Sequence, residues 1–243
     1  DYPHYLGEAA INSERAKLTS LGVISKNEAE LLFGEGYAKK RNVILYFALK
    51  SKNDYLLFLD DDEYPVAVSK DTGGLVWRGQ RVLATHLESI PASDITYGYH
   101  CGYISPIPYV RYNKVLTEND FRIFIETISN DIISWDSIKQ KMSDGGVTFA
   151  DKQVIENRSV ETVGEVRGAK FISGSNLCIN LKNTENLYPF YNPPGARGED
   201  TFLSTCLSNS NVLKVPCYSF HDGFSAYQQL LCGALPETLK PIC

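Results

Sequence analysis

Apolar positions recur at helical spacing in several stretches of the chain and bunch into short runs in others. Glu8 to Ser20 and Asn27 to Phe33 read as helices, and the Gly34-Glu35-Gly36 break closes them off. A further helix is expected from about Tyr37 to Ser51, where Val43, Ile44, Phe47 and Ala48 form an apolar face. It leads into Tyr55 to Leu59, an unbroken apolar run too short for a membrane span and suited to a buried strand of a parallel sheet. Tyr64-Pro65 breaks the chain, and Asp71 to Gly74 suggests a hairpin or loop. Asp94 to Tyr109 reads as a strand followed by an extended loop carrying Pro106 and Pro108. Thr117 and Asp120 resemble a capping box ahead of Phe121, Phe124, Ile125 and Ile128, which predicts a helix from Thr117 to Ser129; Ile132 to Met142 continues as another. Gly168 to Leu181 reads as strand, glycine turn, strand. Thr201 to Ser208 reads as a short helix entered from Gly198-Glu199-Asp200, and Val212 to Pro216 as a last short strand. No internal repeat or low-complexity linker interrupts this order, so a single α/β domain with C-terminal elaborations is expected.

The run Tyr55 to Leu59 stops on Asp60-Asp61-Asp62-Glu63. Were the chain to stay extended, Asp60 and Asp62 would project to one side and offer two hard oxygen ligands suited to Mg²⁺ or Mn²⁺. An acidic turn after a strand is the alternative, since aspartates are common in turns. Lys39, Lys40 and Arg41 fall in the first turn of the preceding helix, where cations oppose the helix dipole unless an anion such as a diphosphate sits there; solvated surface lysines are the other reading.

Composition narrows the classes. The chain has 243 residues and 43% hydrophobic content, enough for a proper core. A net charge of −5 carries no basic footprint for nucleic acid. No segment approaches the length of apolar chain that spans a bilayer, so no transmembrane segment is expected. The six cysteines stand singly, without metal-finger spacing, and read as mostly buried thiols of a cytoplasmic, reducing setting; if any pair forms, Cys232 with Cys243 is the best placed.

Three features occur in one order: Lys40-Arg41-Asn42 before the Asp60-Asp61-Asp62 strand end, Gly174-Ser175-Asn176, and Gly198-Glu199-Asp200-Thr201 opening a helix. Over residues 36 to 224 the arrangement resembles the GT-A fold of nucleotide-sugar glycosyltransferases, most closely the family-2-like group. That resemblance implies a Rossmann-like mixed, mostly parallel sheet flanked by helices. The catalytic core would span 37–224, behind an N-terminal helical segment 1–36 and ahead of a tail 225–243. The chain departs from the family at its start, where the βαβ unit that holds base and ribose is not evident. The resemblance implies a nucleotide-diphosphate sugar donor contacted by Lys40, Arg41, Asn42, Asp60 and Asp61. It places Glu199, Gly174 and Asn176 on the side of a carbohydrate or other hydroxyl acceptor. It also implies Mn²⁺ or Mg²⁺ held by Asp62 and His221 with Asp60, and Asp200 as the general base of an inverting transfer. As plain residues, Asp200 is equally suited to cap the helix that follows, and His221 to an ordinary surface or core position.

Two other classes compete. A haloacid-dehalogenase-like phosphatase also opens on an apolar strand and Asp-x-Asp, but wants Thr or Val where Tyr64 stands. A non-catalytic carbohydrate-binding or scaffolding domain is favoured if the acids do not bind metal; within the glycosyltransferase reading, Trp77, Tyr97, Tyr99 and Tyr103 suit sugar stacking and His100 the lining of a sugar pocket, while aromatic strand residues more often serve as core.

Overall fold

The structure is a computed structural model that describes residues 7–103, 113–115, 117–128, 135–136, 139, 148–193 and 198–222. The chain divides into two compact units, each assembled from separate stretches: 1–59, 83–98 and 159–215 in the first, and 60–82, 99–158 and 216–243 in the second. Residues 7–33 belong to the same unit as 37–59, so the boundary expected after residue 36 separates no unit.

The first unit opens on three helices, α1 (Glu8–Ser20), α2 (Lys26–Leu32) and α3 (Tyr37–Lys50). A reciprocal Ser25–Glu28 capping box starts α2. Glu14 is tied to Lys50 and Lys17, joining α1 to α3, and the Lys50 contact holds the Glu14 carboxyl below its usual range. Next come β1 (Tyr55–Phe58) and, later in the chain, α4 (Val82–Ser89), whose first residue belongs to the second unit. The strand β7 (Leu177–Asn180) is buried at every position. It pairs antiparallel with β1 (Leu57↔Cys178) and with the start of β5 (Ile95–Tyr103; Thr96↔Cys178). β5 neighbours β8 (Val212–Asp222), to which the two-residue strand β6 (Glu161–Thr162) adds antiparallel. The core here gathers Phe58, Ile95, Leu177, Ile179, Phe190 and Leu203.

In the second unit, β2 (Glu63–Tyr64) pairs antiparallel with the end of β8, and β3 (Val66–Asp71) and β4 (Gly74–Gly79) form a hairpin closed by Thr72-Gly73. Ala67, Val68, Cys101, Ala150 and Tyr218 form its core. Two helices complete the described elements, α5 (Glu118–Ile128) and α6 (Lys152–Asn157). The capping box of α5 forms as expected, with Thr117 and Asp120 exchanging bonds.

The expected mixed α/β class holds, but the sheet is mostly antiparallel rather than mostly parallel. Only β5 and β8 run in step: the N–H groups of Asp94 and Ile95 meet the carbonyl of Asn211, and Gly102 lies against that of His221. The physical reason is that an apolar run reports burial on both faces, which a strand attains in either direction once helices and loops cover it. Among the described residues no helix is long and apolar enough to cross a membrane. Cys101, Cys178, Cys206 and Cys217 are free thiols, while the expected Cys232–Cys243 pair and most of the helix over 132–142 lie outside the described residues.

Candidate functional site

The candidate residues fall into two groups, one in each unit. In the second unit the acids 60–62 form a turn, closed by the bond from the Glu63 N–H to the Asp60 carbonyl at 3.2 Å. The extended geometry that would align Asp60 with Asp62 is therefore absent, and Asp60 and Asp61 are exposed in the turn. β2 then pairs Glu63 with His221, and the Asp222 N–H donates to the Asp62 carbonyl at 2.9 Å. This stitching brings Asp62 to His221 across 159 positions of sequence, with Nε2 at 3.1 Å from Oδ2. The carboxylate only accepts, so without a cation the imidazole Nε2–H donates to it.

The pair has the spacing of two ligands of one ion. Bonds of about 2.1 Å meeting at right angles set their ends about 3.0 Å apart. Among the described residues no group of three or more histidine, cysteine or acidic side chains gathers to hold a metal. Two protein donors still suit Mg²⁺ or Mn²⁺, which fill their remaining positions with water and substrate phosphate. Beside this pair Glu63 accepts from His100 Nδ1 at 3.0 Å, and His100 Nε2 is buried with no hydrogen-bond partner.

Gly102 holds the end of β8 in place. Its φ is +90°, and a β-carbon there would stand 2.6 Å from the His221 carbonyl and 2.8 Å from the Phe220 ring. Gly102→Ala is expected to lower unfolding free energy by about 2 kcal/mol or more, through left-handed strain and the backbone clash together. Urea denaturation checks it; wild-type stability would show that the approach is not as close as described.

In the first unit the other expected site residues converge. Arg41, on α3, donates through Nε to Glu199 Oε1 at 3.2 Å and through Nη1 to the Gly174 carbonyl, and its guanidinium packs over Phe58 and Phe190. The helix α7 (Glu199–Ser204) has Gly198 as its N-cap residue with no side-chain bond, so Asp200 lies in the first turn and is not the cap. Its Oδ1 accepts the Thr201 N–H at 2.8 Å and its Oδ2 the Gly174 N–H at 3.1 Å.

These contacts revise several expectations. Arg41 was expected on a diphosphate, yet its side chain is only 12% exposed and engages Glu199 and Gly174. Asn42 was expected on the donor too, but it is buried and clamps the Phe190 backbone, donating to its carbonyl at 2.9 Å and accepting its N–H at 2.7 Å. Asn176 was expected to meet the acceptor, yet it has no exposed surface. Glu199 is likewise buried on Arg41. Each misplacement has one cause: a polar residue next to a motif reads the same whether it faces a ligand or satisfies buried backbone. Lys40 is exposed, and with Lys39 lines a cavity of about 610 Å³ that also holds Arg15, Glu30 and Glu35. None of Arg41, Glu199 and Asp200 lines that cavity.

His86 is the residue that sequence reasoning left without a place. It lies in α4, fully buried, with Nδ1 2.6 Å from Thr96 Oγ1 and Nε2 2.9 Å from Asn176 Oδ1. The amide oxygen only accepts, so Nε2 carries the hydrogen and Nδ1 accepts from the threonine hydroxyl. Burial lowers the imidazole pKa, which favours this neutral form. No motif flanks His86, so its role is legible only from the contacts.

Comparison with protein-family models, with curated proteins and with solved structures finds no match to this chain.

Proposed function

We propose that the chain is a metal-dependent glycosyltransferase of GT-A type, moving a sugar from a nucleotide-diphosphate donor to a hydroxyl acceptor with inversion. The observation that carries this reading is the Asp62–His221 contact, which joins across 159 positions of sequence the two residues that the resemblance assigns to one cation. A bound Mn²⁺ or Mg²⁺ would neutralise charge on the departing diphosphate as a Lewis acid. Asp62 supplies an anionic oxygen for it, and His221 supplies Nε2 once its proton has left. Asp60 and Asp61, exposed in the same turn, serve hydroxyls of the donor. Asp200 takes the proton of the attacking acceptor hydroxyl.

Thermal unfolding with Mn²⁺ and a panel of nucleoside diphosphates tests the donor half. At a ligand concentration of about 100 times Kd the stabilisation is about 2.7 kcal/mol, which raises Tm by roughly 5–10 °C for a chain of this size. Asp62→Ala and His221→Ala are expected to abolish the rise. A Tm that no combination of metal and nucleotide moves would sink the reading and leave the carbohydrate-binding alternative.

A further inference from the structure

The turn 174–176 was expected to meet an acceptor, but Gly174, Ser175 and Asn176 are all buried and give it no face to do so. Both of its ends are held instead. At one end the Gly174 carbonyl accepts from Arg41, and Arg41 also donates to Glu199, the residue before Asp200. At the other end Asn176 has left-handed backbone, φ +50°, which a residue with a side chain adopts at a cost. That conformation is secured by the Gly98 N–H, which donates to the Asn176 carbonyl at 2.8 Å, and by His86, which donates to its side-chain oxygen. On the residue of the first anchor, the Gly174 N–H donates to Asp200 Oδ2 at 3.1 Å. The fit is close, since a β-carbon on Gly174 would stand 3.3 Å from Asp200 Cβ and 3.4 Å from Arg41 Nη2.

We propose that Arg41 and His86 are positioning residues for Asp200, acting through the 174–176 turn as a bracket that fixes the plane of its carboxylate. The inference rests on the reading of Asp200 as base. Two backbone N–H groups, from Gly174 and Thr201, hold one carboxylate oxygen each and leave each a further lone pair for an incoming hydroxyl. The Thr201 bond is local to the helix, whereas the Gly174 bond exists only while the bracket is intact. A base displaced by about 1 Å loses up to about 10²-fold in rate, so the bracket acts on turnover while touching no substrate.

The amide signals of Gly174 and Thr201 report the two bonds separately. In the full chain with ¹⁵N-labelled glycine and threonine, both amide signals are expected to shift on Asp200→Ala, which removes the oxygens they donate to. His86→Leu keeps bulk but removes both imidazole bonds. Arg41→Lys keeps the charge but cannot span Glu199 and Gly174 together. Each is expected to displace the Gly174 amide signal while the Thr201 signal stays in place, and to slow Mn²⁺-dependent release of nucleoside diphosphate from a panel of nucleotide-diphosphate sugars at least tenfold. His86→Gln, able to accept from Thr96 and donate to Asn176, is expected to restore both readouts. If His86→Leu does not fold, Arg41→Lys carries the same decision. A Gly174 amide signal unmoved in every folded variant, or displaced equally in His86→Gln, overturns the bracket. Nucleoside diphosphate release by Asp200→Ala as fast as by wild type overturns the base reading instead, an outcome separate from anything the amide signals report.

Discussion

Arg41→Ala is expected to destabilise the first unit by about 3–5 kcal/mol, the loss typical of removing one partner from a buried ion pair. The side chains of Arg41 and Glu199 are 12% and 11% exposed, so truncating the cation leaves a carboxylate inside with little water to take its place. The Gly174 carbonyl loses a charged donor in the same step, and Phe58 and Phe190 lose the guanidinium packed over them. Read from the sequence alone, the same residue is a donor contact whose removal would weaken nucleotide binding and spare the fold. Chemical denaturation of wild type and variant separates the two. A stability change under about 1 kcal/mol would mean that Arg41 is not spent on the interior, and nucleotide affinity would again be the effect to measure.

The elements were legible where periodicity and local signals agreed. α1 and α3 follow the expected spans closely, and α5 begins on the capping pair that marks it in the sequence. α4 was missed, because its eight residues carry no capping signal strong enough to stand out between the β4 hairpin and the next strand. β8 was foreshortened at Pro216, yet it runs on to Asp222. Strand direction was not legible, because pairing depends on which distant segment arrives beside a strand, and the alternation of side chains does not encode that. The same limit shaped the site. Asp62 and His221 were paired in advance, since their chemistry is ligand-like and their order matched a resemblance. Arg41, Asn42 and Asn176 have the same polar chemistry, but their partners are backbone groups of Gly174 and Phe190 and the buried imidazole of His86. Such partners carry no sequence signature, so a buried polar bracket passes for a binding surface until burial is known.

Asp200→Asn is expected to lower kcat by about 10²-fold or more, and the structure changes what else that variant should do. As an N-cap, an asparagine would replace aspartate with almost no effect. Asp200 is not the cap, however: its two oxygens accept from Thr201 and Gly174, and an amide turns one of these acceptors into a donor facing an N–H. One backbone bond is lost, at about 1–3 kcal/mol, so a lower Tm is expected on either view of the residue. The decision lies in turnover measured well below that Tm, with donor binding checked by the Mn²⁺-dependent shift. A residue that only supports the turn leaves the folded variant near wild-type kcat. A base leaves it folded, able to bind donor and nearly inactive, because the amide cannot accept the acceptor's proton at neutral pH. Near wild-type turnover by folded Asp200→Asn would remove Asp200 from the chemistry, and a product that keeps the donor's anomeric configuration would independently exclude single-step inversion.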